Sequence, residues 1–290
     1  MTLSQPARRR DASPRALIRP RRACAAIAAV ALLLLLGGCA AAPATDPAAA
    51  DLPPSGAQPD YQLGGAYDPA SGVGIVGRDR TAAPADGVYS ICYVNGFQTQ
   101  PGELAAWPDD LLLQRDGETV FDPDWPDEAL LDTSSAPRRE RIAAVVVPWI
   151  EGCAEAGFDA VEFDNLDSYT RSDGALSFDD NLALATVLVD AAHASELAAG
   201  QKNAAEDAAA LRERAGFDFA VTEECAAYRE CGSYTAVYGQ RVVDIEYTDE
   251  LPRTFAEMCA DDDSPSSMVL RDRDLVTPGD AAYAFETCPR

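Results

Sequence analysis

Apolar and polar positions change period repeatedly along this chain. Short apolar stretches at Gln62–Ala66, Gly74–Gly77, Val88–Val94, Ala160–Phe163, Ala199–Gln201, Phe217–Val221, Val242–Glu246 and Met268–Leu270 read as strands. Helical stretches lie between them. Ser135 is placed to cap a helix with Pro137 in its first turn. Ile142, Val145, Val146, Trp149, Ile150 and Cys153 then recur at helical spacing and predict one buried face. Pro148 should kink this helix and Gly157 should stop it. Ser177 and Asp180 form a capping box for a second helix. Its stripe is Leu184, Val187, Leu188 and Ala191, and it should end before Gly200. A third helix is expected from Asn203, with Glu206 returning the cap, to Gly216.

Alternating strands and helices imply an α/β chain with a parallel sheet. Eight strands in about 230 residues suit a (β/α)8 TIM barrel as a single domain, although such barrels run to about 250 residues. The rival is an open doubly wound sheet. That fold usually carries a Gly-rich phosphate turn, and none is present.

The amino-terminal 38 residues read as an export segment. Arginines from Arg8 to Arg22 precede an uncharged apolar run, Ala23–Leu36. The run is too short for a comfortable membrane span and fits a signal peptide. It ends Leu36-Gly37-Gly38-Cys39, which resembles a bacterial lipobox whose cysteine is acylated. Residues 39–60 are rich in Ala and Pro and read as a tether. The expected division is therefore signal peptide 1–38, tether 39–60 and barrel 61–290, lipid-anchored outside the cytoplasm. Export favours disulfides among Cys92, Cys153, Cys225, Cys231, Cys259 and Cys288. Six cysteines allow 15 pairings. Only Cys225–Cys231, which would clip one short loop, is singled out.

With 48 acidic against 23 basic residues and a net charge of −25, the chain is a poor partner for nucleic acid. A single histidine, His193, excludes two-His zinc motifs, and no metal or organic cofactor is expected. His193 lies in a predicted helix and reads as structural. Chemistry must rest mainly on carboxylates.

Barrel enzymes carry functional groups at the carboxyl-terminal ends of strands. Alternation puts Ala160, Glu162 and Asp164 on one face, with Val161 and Phe163 pointing toward helices. Further strand ends carry Tyr93 and Asn95, Asp132, Lys202 and Asn203, Glu223, and Arg271 and Asp272. Asp244 and Glu246 share a face at the seventh strand. Carboxylates at several strand ends suggest a glycosidase-like pair, while a salt-bridged acidic cluster is the plainer reading. Lys202 is the only lysine, and Trp107, Trp125 and Trp149 are candidate sugar platforms.

The blocks Ile91-Cys92-Tyr93, Val161-Glu162-Phe163-Asp164-Asn165, Gly200-Gln201-Lys202-Asn203, Thr222-Glu223-Glu224-Cys225 and Glu246-Tyr247, in this order, resemble glycoside hydrolase family 114. These are endo-α-1,4-polygalactosaminidase-like TIM barrels, and the resemblance spans about residues 60–275. It implies endo-hydrolysis of α-1,4-linked galactosamine-containing polysaccharide, with a cationic amino-sugar polymer as partner, by a monomer. Asp164 would be nucleophile or charge stabiliser and Glu223 general acid/base. Tyr93, Asp132, Glu162, Asn165, Lys202, Asn203 and Glu246 would position the sugar. Glu162 and Glu224 should raise the Glu223 carboxyl, and Lys202 should keep Asp164 ionised. The chain departs from the V-E-P-D-N, G-L-K-N and N-E-Q-C blocks at Phe163, Gln201, Thr222 and Glu224. The last two flank the expected acid. They motivate the alternative of a non-catalytic glycan-binding lipoprotein.

Overall fold

The computed structural model describes residues 50–289. The expected signal peptide, Cys39 and most of the tether lie outside them. Eight parallel strands form the sheet: β1 (Gln58–Tyr61), β2 (Val73–Asp79), β3 (Tyr89–Asn95), β6 (Ala160–Asp164), β7 (Ala198–Lys202), β8 (Phe219–Glu223), β9 (Val242–Tyr247) and β10 (Ser267–Arg271). The antiparallel β11 (Phe285–Thr287) extends it beyond β10. A two-stranded hairpin, β4 (Gln114–Arg115) and β5 (Glu118–Thr119), sits in the long β3–β6 crossover. Asp116 and Gly117 form its turn at φ 53° and 87°, as a two-residue hairpin of this kind requires.

The crossovers from β3 onward carry helices: α1 (Ala136–Ala156), α2 (Phe178–Ala194), α3 (Ala208–Ala210), α4 (Cys225–Tyr228), α5 (Cys231–Tyr238) and α6 (Phe255–Cys259). Those after β1 and β2 are loops. β1 and β10 lie side by side, and a side chain rather than a strand ladder joins them. Fully buried Arg271 donates to Asp60 at 3.0 Å and to the carbonyl oxygens of Tyr61, Val276 and Ala284. The result is the TIM-barrel architecture.

The core has two layers. Inside the barrel, Tyr61, Ile75, Ile91, Ala160, Phe219, Val221, Val243, Ile245, Tyr247 and Val269 form one cluster. Outside, Val94, Val161, Phe163, Ala220, Val242 and Leu270 pack against the helices. Gly200 makes room here, because a Cβ would come within 2.6 Å of the ring of Phe219, its register partner on the neighbouring strand β8.

α1 has Pro137 in its first turn, contains Pro148, buries Ile142, Val146, Ile150 and Cys153, and ends on Gly157 at φ 93°. α2 has the Ser177–Asp180 capping box. Four expectations differ. The first strand is Gln58–Tyr61 rather than Gln62–Ala66, and Ala50 and Leu52 already pack against the barrel core. The fold thus begins before residue 61, inside the expected tether. Val187 is exposed, since the buried stripe of α2 runs through Leu184, Ala185, Leu188 and Val189. The third helix is broken into a 3-10 turn, α3 and a π turn, though it ends at Gly216 as expected. Asn203 does not cap it; the residue is left-handed, φ 51°, and its side chain turns to Glu223.

Three disulfides join Cys92 to Cys153, Cys225 to Cys231 and Cys259 to Cys288. Cys225, Cys231 and Asp244 approach within 4.8 Å, but the two sulfurs are bonded to each other and offer no thiolates to a metal. Among the described residues, no helix is long and apolar enough to cross a membrane.

Candidate active site

The carboxyl-terminal ends of the strands surround a cleft of about 590 Å³. Tyr93 from β3, Asp164 and Asn165 from β6, Lys202 and Asn203 from β7, Glu223 and Glu224 from β8, and Tyr247 from β9 all line it. Nine lining residues are carboxylates, against the cations Arg171, Lys202 and Arg273, so the cleft presents net negative charge.

Lys202 stands at its centre. The ammonium lies 3.5 Å from Oδ2 of Asp164 and 3.3 Å from Oε2 of Glu223. Those two oxygens are therefore no further apart than these contacts laid end to end. Lys202 also reaches the Tyr61 hydroxyl at 3.1 Å and stands over the Tyr61 and Tyr93 rings. Burial alone would strip its proton. Asp164, Glu223 and Glu162 outweigh burial and hold the ammonium well above its ordinary value.

Asp164 accepts from the Tyr93 hydroxyl at 2.8 Å and from the Asn165 backbone N–H at 2.8 Å. Glu223 accepts from the Tyr247 hydroxyl and from Asn203 Nδ2 at 3.0 Å. Its own N–H donates to Asn203 Oδ1 at 2.8 Å, which explains the left-handed turn at Asn203. Burial pushes the Glu223 carboxyl up, but Lys202, Tyr247 and Asn203 pull harder, and it sits below its usual range. The expected rise of the Glu223 carboxyl is thus not found, although Lys202 does contact Asp164 as expected. Lys202 touches both acids, and Glu224 turns away to Arg273 at 2.9 Å.

Glu162 points inward as alternation predicts, but it lies beneath the cleft rather than along it. The Tyr61 hydroxyl donates to its Oε1, and Oε2 has no hydrogen-bond partner among the described residues. Burial raises this carboxyl to about 7. Asp132 and Glu246 are not in the cleft either. Asp132 follows an irregular segment, not a barrel strand, and accepts from Ser134 with Arg138 at 3.4 Å. Glu246 lies with Asp244 on the outer face of β9, because the apolar Val243 and Ile245 fill the barrel. There it accepts from the Ala226 and Ala227 N–H groups at 2.9 and 3.2 Å. Thr222, one of the two departures beside the acid, also faces outward and donates to Asp244 at 2.7 Å.

Sequence reasoning overlooked Tyr61, Tyr247 and Glu128. The signal for Tyr247 was available. Branched apolar residues normally fill a barrel interior, so Val243 and Ile245 belong inside and bring Tyr247 with them. His193 pairs with Asp218 at 2.7 Å on the outer surface, away from this site. Trp107 and Trp149 stack edge-to-face with centroids 5.8 Å apart, while Trp125 is 57% exposed on the cleft.

A parallel β/α barrel that brings carboxylates from separate strand ends into one cleft has the framework of a barrel glycosidase. Residues 40–290 match the glycoside-hydrolase family GH114. The chain belongs to that family and is a glycoside hydrolase. Among solved structures it resembles Ega3 of Aspergillus fumigatus, crystallised with galactosamine, at 24% identity and a TM-score of 0.65, covering 82% of this chain and 98% of that one. It also resembles the glycoside hydrolase domain of PelA from Pseudomonas aeruginosa, at 12% identity and a TM-score of 0.53, covering 77% and 98%. Among curated proteins, none matches the chain.

Proposed function

We propose that this barrel is an endo-acting hydrolase of α-1,4-linked, galactosamine-containing polysaccharide, with Asp164 and Glu223 as its carboxylate pair. The observation that carries the pair is Lys202, which draws both carboxyls to one ammonium. The contacts of 3.5 and 3.3 Å bound the separation of the nearer oxygens. That bound accommodates the roughly 5–5.5 Å of retaining enzymes and only the lowest part of the inverting range. Asp164, held by Tyr93, Lys202 and a backbone N–H, is the nucleophile. Glu223 is the acid/base. It is held ionised in the free site and takes up its proton when the substrate displaces water and raises the cost of its charge.

The substrate class is supported by the excess of carboxylates over cations along the cleft, which attracts a polycation. The family membership and the galactosamine in the Ega3 structure point the same way. The three disulfides fit an oxidising, extracytoplasmic site of action. Lipid anchoring through Cys39 completes the reading, and mass spectrometry of the amino-terminal peptide would settle it. Incubating the full-length chain with deacetylated and acetylated α-1,4-galactosamine polymers should release new reducing ends. Internal cleavage would give oligomers early, and proton NMR of the first product should show a retained anomer. No reducing ends from either polymer would reject the assignment.

A further inference from the structure

The loop between β5 and α1 brings an acid without an ion-pair partner among the described residues to the cleft. Glu128 is 8% exposed. Its Oε2 accepts from the side-chain amides of Asn95, at 2.9 Å, and Asn165, at 3.4 Å. Both of these bonds are to Oε2; Oε1 accepts none among the described residues, and Glu128 lines the cleft. Asp79, Asp124 and Asp274 also line the cleft without an ion pair among the described residues, but none of them is buried, and the remaining acids have cations. Asp164 and Glu223 share Lys202, Asp122 and Asp167 share Arg171, and Glu224 has Arg273. Among the described residues, Glu128 has no cation in contact. Burial, reinforced by the charge of Asp164 and then Asp122, raises it to about 7, with Asn95 and the more distant Arg171 opposing.

A nearly buried carboxylate without a cation is costly, and its cost is recovered only when a positive group arrives. The same turn supplies a second contact. The Glu128 N–H donates to the Trp125 carbonyl at 2.9 Å, and the Trp125 indole is exposed on the cleft. An aromatic face beside a waiting carboxylate matches a sugar ring that carries an ammonium, because the indole takes the ring's C–H face while the acid takes the charge.

Resting on the polysaccharide reading above, we infer that Trp125 and Glu128 form an amino-sugar subsite in which Glu128 selects a free ammonium over an N-acetyl group. An acetamido group at that position would bring no charge and leave Glu128 without its cation, so discrimination follows from an unmet buried partner. Glu128 acts here as a specificity-determining residue, and the bond-breaking carboxylates remain Asp164 and Glu223.

The test compares the full-length wild type, Glu128→Gln and Trp125→Ala on deacetylated α-1,4-galactosamine polymer and on the same polymer after re-N-acetylation, at pH 8. Gln keeps an acceptor for Asn95 and Asn165, so thermal unfolding should be close to wild type. Expected for Glu128→Gln is a rise in KM of about tenfold or more on the deacetylated polymer, little change in kcat, and unchanged KM on the acetylated one. Trp125→Ala, at an exposed position, should raise KM on both polymers alike. Unchanged KM on the deacetylated polymer, or an equal rise on both for Glu128→Gln, overturns the selectivity. Unchanged KM for Trp125→Ala overturns the platform. Wild type inactive on both polymers would instead remove the substrate reading, and this inference with it.

Discussion

The Lys202 ammonium lies 3.3 Å from Glu223 while its side chain is almost wholly buried. A cation in that position makes the Glu223 carboxyl easier to ionise, and it contacts Asp164 at 3.5 Å as well. It also makes the site sensitive to isosteric change. Asp164→Asn and Glu223→Gln keep shape and remove the acid chemistry. Each should lose turnover by about 10³-fold or more with an unchanged unfolding transition. Reducing-end assays on the folded variants decide this. Near-normal turnover in either would remove that residue from the pair.

Tyr247 tunes the second acid. Its hydroxyl donates to Glu223 Oε1 and favours the ionised form. Glu223 must be protonated to serve as acid, so activity falls as pH rises through its pKa. Without the donor that pKa rises. Tyr247→Phe should therefore move the alkaline limb of kcat/KM to higher pH, by up to about one unit for a single hydrogen bond. A pH profile in which that limb stays put would detach Glu223 from this limb or from Tyr247.

Much of this was legible in the chain. Seven of eight barrel strands, the first-turn Pro137 and the Gly157 stop of α1, and the capping box of α2 follow from period, Pro, Gly and Ser placement, whereas Ser135 sits at the start of α1 without a side-chain capping hydrogen bond. The first strand was misplaced because Gln58-Pro59-Asp60-Tyr61 has little apolar pattern of its own. It is held by Arg271, 211 residues away, a contact that no local window contains. Asp164, Lys202 and Glu223 were placed correctly at strand ends, since β6, β7 and β8 all end where alternation is unambiguous. Glu246 failed because a strand with acids on one face and aliphatics on the other gives two faces without saying which is inside. Trp125 stood among the candidate sugar platforms, but Glu128 did not stand out, for both come from an irregular crossover that lines the cleft.

Arg271 and Asp60 fix the barrel seam with both charges buried. Removing one partner from such a pair costs about 3–5 kcal/mol, because the other charge stays buried. Asp60→Asn should fall in that range. Arg271→Met should cost at least as much, since it also leaves the carbonyls of Tyr61, Val276 and Ala284 without their donor. Urea unfolding measures both. A loss below about 1 kcal/mol for Arg271→Met would mean that β1 and β10 meet without it.

The disulfides should divide between stability and site rigidity. Cys92–Cys153 closes a sequence separation of 61 and Cys225–Cys231 one of 6. Loop-closure entropy gives about 4 kcal/mol for the first and about 2 kcal/mol for the second. Replacing the first pair by Ala should lower the unfolding midpoint more. Replacing the second should cost more activity than stability, because it frees the turn beginning two residues after Glu223. Equal losses of stability, or full activity without Cys225–Cys231, would contradict this division.

Asp244 and Glu246 supply the sharpest pH test. Both are fully buried on the outer face of β9, and among the described residues neither Asp244 Oδ2 nor Glu246 Oε2 has another partner. Burial, and then the charge of Glu246, raises Asp244 well above the ordinary carboxyl range; burial also raises Glu246. One proton held between them, on Asp244, satisfies both oxygens. A folded pKa above the unfolded one means that the native state binds the extra proton. Its stabilising contribution is complete below about pH 4, where the unfolded carboxyl is also protonated, and is lost progressively as pH rises toward the folded value. Asp244→Asn keeps the acceptor used by Thr222 and Cys225 and replaces the titrating proton with a permanent amide donor to Glu246. The variant should therefore gain stability relative to wild type as pH rises from 5 to 8, read by urea unfolding at each pH. A difference between the two proteins that stays constant over that range would show that Asp244 does not hold the proton.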